Sequence, residues 1–118
     1  MEAPNISQEM QDCIPYIKAL SVYGLDKAEW FEKLSKLSID NLISLMTIME
    51  IGRDHYLMDA YKTRPNPELL YKQHKRVAIK HHQNKRKADL INCILEKLLL
   101  HRYMETAFLV LGLYKISA

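Results

Sequence analysis

The chain has 118 residues, 48 % of them hydrophobic and 26 % charged, with a formal net charge of +3. That length suits one domain, residues 1–118, built on one core, and the composition is too apolar for a disordered chain. The longest apolar run, Phe108 to Leu113, is far short of the roughly 20 residues that cross a bilayer, so no membrane span is expected.

The opening Met1-Glu2-Ala3-Pro4-Asn5 has neither a basic nor an apolar leader segment, so no cleaved Sec signal is expected; other export routes are untouched by this reading. Two cysteines, Cys13 and Cys93, do not make a disulfide framework and point to a reducing cytoplasm.

No stretch alternates as a strand does, and no Asn-Gly or Asp-Gly hairpin signal occurs. The pattern predicts an all-α fold, a bundle of five or six helices. A first helix over 7–23 carries Ile6, Met10, Cys13, Ile14, Ile17 and Leu20 on one stripe, with a kink or restart expected at Pro15. Asp26 and Glu29 form a capping box for a second helix that buries Trp30, Phe31, Leu34 and Leu37. Ser38 caps a third, with Leu42, Ile43, Leu45, Met46 and Met49 inward. Gly24, Gly52 and Gly112 each follow an apolar-periodic run, where a helix ends in a left-handed residue. Arg53-Asp54-His55 then reads as polar surface beyond a helix end, followed by a turn or helical continuation with Tyr56, Met58 and Tyr61.

The break is clearest at Thr63-Arg64-Pro65-Asn66-Pro67. Asn66 can cap and Pro67 suits a first helical position, since its missing N–H would have no partner there. A basic helix is predicted over 67–82, then helices over 88–95 and 98–111.

Two blocks carry a resemblance. Asp40-x4-Leu45-Met46-x-Ile48-x2-Ile51-Gly52-Arg53-x2-Tyr56 and Tyr103-Met104-Glu105-x2-Phe108-x2-Leu111-Gly112 resemble an uncharacterised family of short helical bacterial proteins, a domain of unknown function. The chain departs from that pattern at Glu50, where a tryptophan is expected, and at Glu96-Lys97-Leu98, in place of a Gly-Thr-Pro-like turn. The resemblance implies a helical fold and no activity. In size and in its lysine, isoleucine and histidine content, the chain is also similar to the small partner-inhibitors that some bacteria encode beside effector enzymes.

Nothing in the chain spells out a reaction. His74 and His81 are seven apart with His82 adjacent, which matches no zinc-ligand spacing, and neither cysteine has a CxxC partner. Cys13 and Cys93 sit on apolar stripes, where cysteine is a small hydrophobe. Asp26, Glu29 and Glu32 gather at a helix start, where the macrodipole accounts for them. The expectation is therefore a protein without enzymatic activity, cofactor or metal.

Binding is the better-supported class. Between Glu68 and Asp89 there is no acid, but there are seven lysines and arginines and three histidines. Lys72, Arg76 and Lys80 recur every four residues as a stripe with Lys75 on its flank, while Leu70 and Val77, with His74 between, would dock the helix. An acidic protein surface is the expected partner, since complementary charge steers encounter. Tyr56, Tyr61 and Arg64 would supply contact energy beside the cations, because tyrosine and arginine dominate interface hot spots. Nucleic acid is the alternative partner, with phosphates on the same stripe. The final helix, apolar on nearly all faces around 108–111, leads to the further expectation of a homodimer.

Overall fold

Four helices start where a short polar side chain takes up a free backbone N–H: Ser7 receives from Met10, Asp26 from Glu29, Ser38 from Asn41 and Asn66 from Leu69. Each such cap stabilises its helix by about 1 kcal/mol. The computed structural model describes residues 7–58 and 66–116. Among them lie six α-helices and no strand: α1 (Gln8–Leu20), α2 (Lys27–Ser35), α3 (Ile39–His55), α4 (Pro67–His82), α5 (Lys87–Leu95) and α6 (Leu100–Val110), with a final 3-10 turn at Leu113–Lys115. The all-α bundle read from the sequence is therefore the fold. Its radius of gyration, 13.4 Å, is that of a compact folded chain of this length.

α3 is the axle. Every residue from Leu42 to Met49 is buried, with Ile51 and Gly52 beyond, and α1, α4, α5 and α6 all pack around it. A helix buried all round must carry its polar side chains satisfied, and α3 does so locally. Thr47 donates to the carbonyl of Ile43, one turn back, at 2.7 Å, and the Ser44 hydroxyl lies 3.0 Å from the carbonyl of Asp40. α1 supplies Met10, Cys13, Ile17 and Leu20, and α2 supplies Trp30 and Leu34 on its α5-facing side.

Three expectations change. α1 runs through Pro15 as one helix without a restart; Pro15 is exposed, on the side away from the buried stripe. Gly52 does not end α3, which continues for another turn to His55 and so takes Arg53 and Asp54 into the helix. Its role is close approach: a Cβ at position 52 would overlap the backbone carbonyl of Tyr103 on α6. Gly24 and Gly112 do adopt left-handed conformations, at φ 80° and 68°. Finally, the helix apolar all round is α3 and not α6. Phe108 and Leu109 are half-buried while Met104, Ala107, Val110 and Leu111 are buried.

Candidate functional site

α4 has the span read from the sequence, Pro67–His82, but is fastened by a different strip. Tyr71 and Ala78, 2 % and 1 % exposed, are its buried residues, and Leu70 is only partly buried. Val77 is 53 % exposed and docks nothing. The aliphatic residues set the expected phase one position too early. Tyr71 has the larger ring to bury, and its hydroxyl finds a partner inside, which settles the rotation of the helix.

That partner is Glu9 on α1. Glu9 Oε1 accepts from the Tyr71 hydroxyl at 2.6 Å and from the Ser44 hydroxyl of α3 at 2.6 Å. The Lys75 ammonium forms an ion pair with the same oxygen, donates to Ser44 Oγ at 3.1 Å and lies 3.4 Å from Asp40. One carboxylate oxygen thus ties three helices together. Burial raises the Tyr71 phenol well above its ordinary value and lowers the Lys75 ammonium from its own. Lys75 was expected on the flank of the exposed stripe, but its side chain is 13 % exposed and serves this cluster. At the N-terminal end of α4, Glu68 Oε2 accepts from the Ser7 backbone N–H at 2.8 Å.

His74, expected on the docking side, and His82 both reach carboxylates of α3. His74 Nε2 lies 3.3 Å from Asp54, and His82 Nε2 lies 3.1 Å from Glu50. His74 Nδ1 meets the Leu70 carbonyl at 3.0 Å, whereas His82 Nδ1 is buried with no hydrogen-bond partner. Glu50 and Asp54, one turn apart on α3, thus face His74 and His82, eight apart on antiparallel α4. The acids are one turn apart and the histidines about two turns apart, so the spacing in the sequence does not pair them, and the pairing shows only once the two helices are neighbours. No group of three or more His, Cys, Asp or Glu side chains suited to a metal occurs among the described residues.

With the inward side so occupied, the outward side of α4 presents Lys72, Arg76 and Lys80. Lys72 is 68 % exposed, and among the described residues only its 3.9 Å contact with Glu68 offsets its charge. Interleaved with these cations are Leu69, 50 % exposed, and Ile79, 38 % exposed, with Val77 at the edge. The structure therefore gathers three of the expected partner-binding residues on one face and withdraws a fourth. Tyr56 caps α3, half-buried and edge-on to Tyr103 at 5.7 Å, while Leu57 and Met58 beyond it are exposed. Tyr61 and Arg64 lie outside the described residues.

The thiols differ. Cys13 is 5 % exposed, and its pKa is pushed up to about 12 by burial first and then by Asp12 and Asp40, which leaves it a protonated core side chain. Cys93 is half-buried, 3.8 Å from Lys85 Nζ. No helix among the described residues is long and apolar enough to cross a membrane.

Comparison with known proteins finds no matching family model, no matching curated protein and no matching solved structure.

Proposed function

We propose that this chain is a non-enzymatic regulator or inhibitor of bacterial type, acting in the cytoplasm, that docks an acidic partner protein through the outer face of α4. An effector enzyme is the kind of partner that its size and composition favour. The observation that carries the reading is the mixture on that face: Leu69 and Ile79 stand exposed among Lys72, Arg76 and Lys80. Apolar side chains between cations fit a protein surface, which offers both acids and dry contact. A phosphate backbone would use the cations alone.

The nucleic-acid alternative loses its stacking residue as well. Tyr71, the one aromatic in the basic run, is 2 % exposed and hydrogen-bonded to Glu9. Membership of the uncharacterised bacterial family is part of the proposal and rests on the two resembling blocks, residues 40–56 and 103–112.

The test is capture from native lysate, with and without nuclease, by wild-type chain and by the triple variant Lys72→Glu, Arg76→Glu, Lys80→Glu. A discrete protein that survives nuclease and disappears with the charge reversal is the expected result. Recovery of nucleic acid, with every protein band lost on nuclease treatment, would replace this reading with the alternative.

A further inference from the structure

Where α1 gives way to α2 and α5 to α6, the two connections meet around a hollow of about 210 Å³. Its walls include Val22, Tyr23 and Leu98, which are 59, 79 and 91 % exposed. We propose that it is a docking site for a short acidic segment of a partner protein. The segment seats one large apolar side chain in the hollow and sets its acids against Lys27 and Lys97.

The fold alone does not account for these residues. Gly24, in its left-handed conformation, turns the chain between α1 and α2 and leaves Val22 and Tyr23 in solvent. At the other wall α6 starts on Leu99, which gives its helix no side-chain cap, although Ser, Thr, Asp or Asn there would take up a free N–H. Leu98 beside it is the most exposed large apolar side chain among the described residues. Two leucines thus occupy a turn where solvent and the helix start both favour polar residues. Single exposed apolar residues are ordinary, but here three of them wall one hollow. Tyr23 is also held in place: its ring stands edge-on to His101 at 5.0 Å, which joins the two connections into one surface.

Size and charge select the occupant. The volume is below the roughly 300–1,000 Å³ of small-molecule sites and suits one large side chain. Lys27 and Lys97 stand in the wall, and no acid does. Asp26, next to Lys27, gives its carboxylate to the Glu29 N–H at 3.2 Å. Exposed cations around an apolar hollow steer acidic partners and fix their register. A second copy of this chain seated on the same face would bring lysine to lysine across the two-fold axis. The hollow shares no residue with the outer face of α4, so it stands apart from the docking reading above.

The test selects random peptides displayed on phage against the full chain, then titrates the enriched peptides, synthesised with a fluorescent label, by anisotropy. Enriched sequences are expected to share one aromatic or leucine flanked by acids and to bind with a Kd below about 100 µM. Leu98→Glu should weaken them about tenfold or more, and Lys27→Glu with Lys97→Glu about fivefold or more. All three positions are exposed, so urea midpoints should stay near that of the wild type. Lys72→Glu with Lys80→Glu should change binding less than about twofold. Absence of enrichment, or enriched peptides without acids, would overturn the proposal. So would binding that survives Leu98→Glu and is lost with Lys72→Glu and Lys80→Glu, which places the peptides on α4. Sedimentation equilibrium of the chain alone supplies the last arm: a dimer that Leu98→Glu dissociates would give the face to a second copy and overturn the proposal as well.

Discussion

α3 and α4 are of similar length, 17 and 16 residues, and lie side by side, yet they are held in opposite ways. α3 is dissolved in the core: an unbroken buried run, the Thr47 hydroxyl bonded back to its own helix, and a glycine where α6 crosses. α4 rests on two buried residues and on polar fastenings, the Glu9 cluster and the two histidine–carboxylate pairs. Apolar burial can use every face of a helix. Specific polar contacts use only one, and they leave the other available. The division of labour follows: α3 makes the fold, and α4 carries a face outward.

The largest effect that would break this contrast is at the crossing. Gly52→Val drives a side chain into the Tyr103 backbone, which cannot yield as a side chain tip would, and should destabilise by about 3 kcal/mol or more, with urea denaturation as the measurement. A mild loss there would mean that α3 and α6 can move apart, and α3 would not be a fixed axle. Next comes the fastening of α4. Lys75→Met leaves the Glu9 carboxylate among two hydroxyls without its cation and should cost about 2 kcal/mol. Adding Glu9→Gln should recover much of that loss, because the unpaired charge is removed with it. If the double variant were as unstable as the single, the cluster would be acting through packing and not through charge.

Alkaline pH sharpens the comparison between the buried polar groups. Folded Cys13 and Tyr71 keep their protons where the unfolded chain has released them, so above about pH 9 the native state binds more protons and stability falls as pH rises. Lys75, shifted downward, works in the opposite sense: its share of stability grows as pH rises through the window below 10.5. Two raised groups against one lowered give a net fall in stability toward pH 11, read from urea midpoints across the range. Cys13→Ala should flatten the first part of that decline. The smallest effect on stability belongs to the outer face, where Lys72→Glu, Arg76→Glu and Lys80→Glu together should shift the unfolding free energy by less than about 1 kcal/mol.

The sequence was most legible where a local signal decides the structure. Ser7, Asp26, Ser38 and Asn66 marked helix starts because capping is a matter of three or four neighbouring residues. Asn66-Pro67 located α4 to the residue. The failures have one cause, information held by a second element. Gly52 reads as a helix end until α6 is placed against it, and Lys75 reads as surface until Glu9 and Ser44 arrive from two other helices. The rotation of α4 was misread because Tyr71 looks like a polar, half-wet residue when the carboxylate that accepts its proton is 62 positions away. The cationic stripe was legible because it depends only on the repeat of four along one helix.

The most direct test of the account takes the captured partner and measures its affinity for two variants at rising salt. One is Lys72→Glu, Arg76→Glu, Lys80→Glu; the other is Leu69→Ser with Ile79→Ser. The account predicts that both lose about tenfold or more, with wild-type binding only moderately weakened between about 50 and 200 mM salt. An apolar variant that binds like wild type, with affinity falling steeply on salt, would contradict it and return the face of α4 to phosphate.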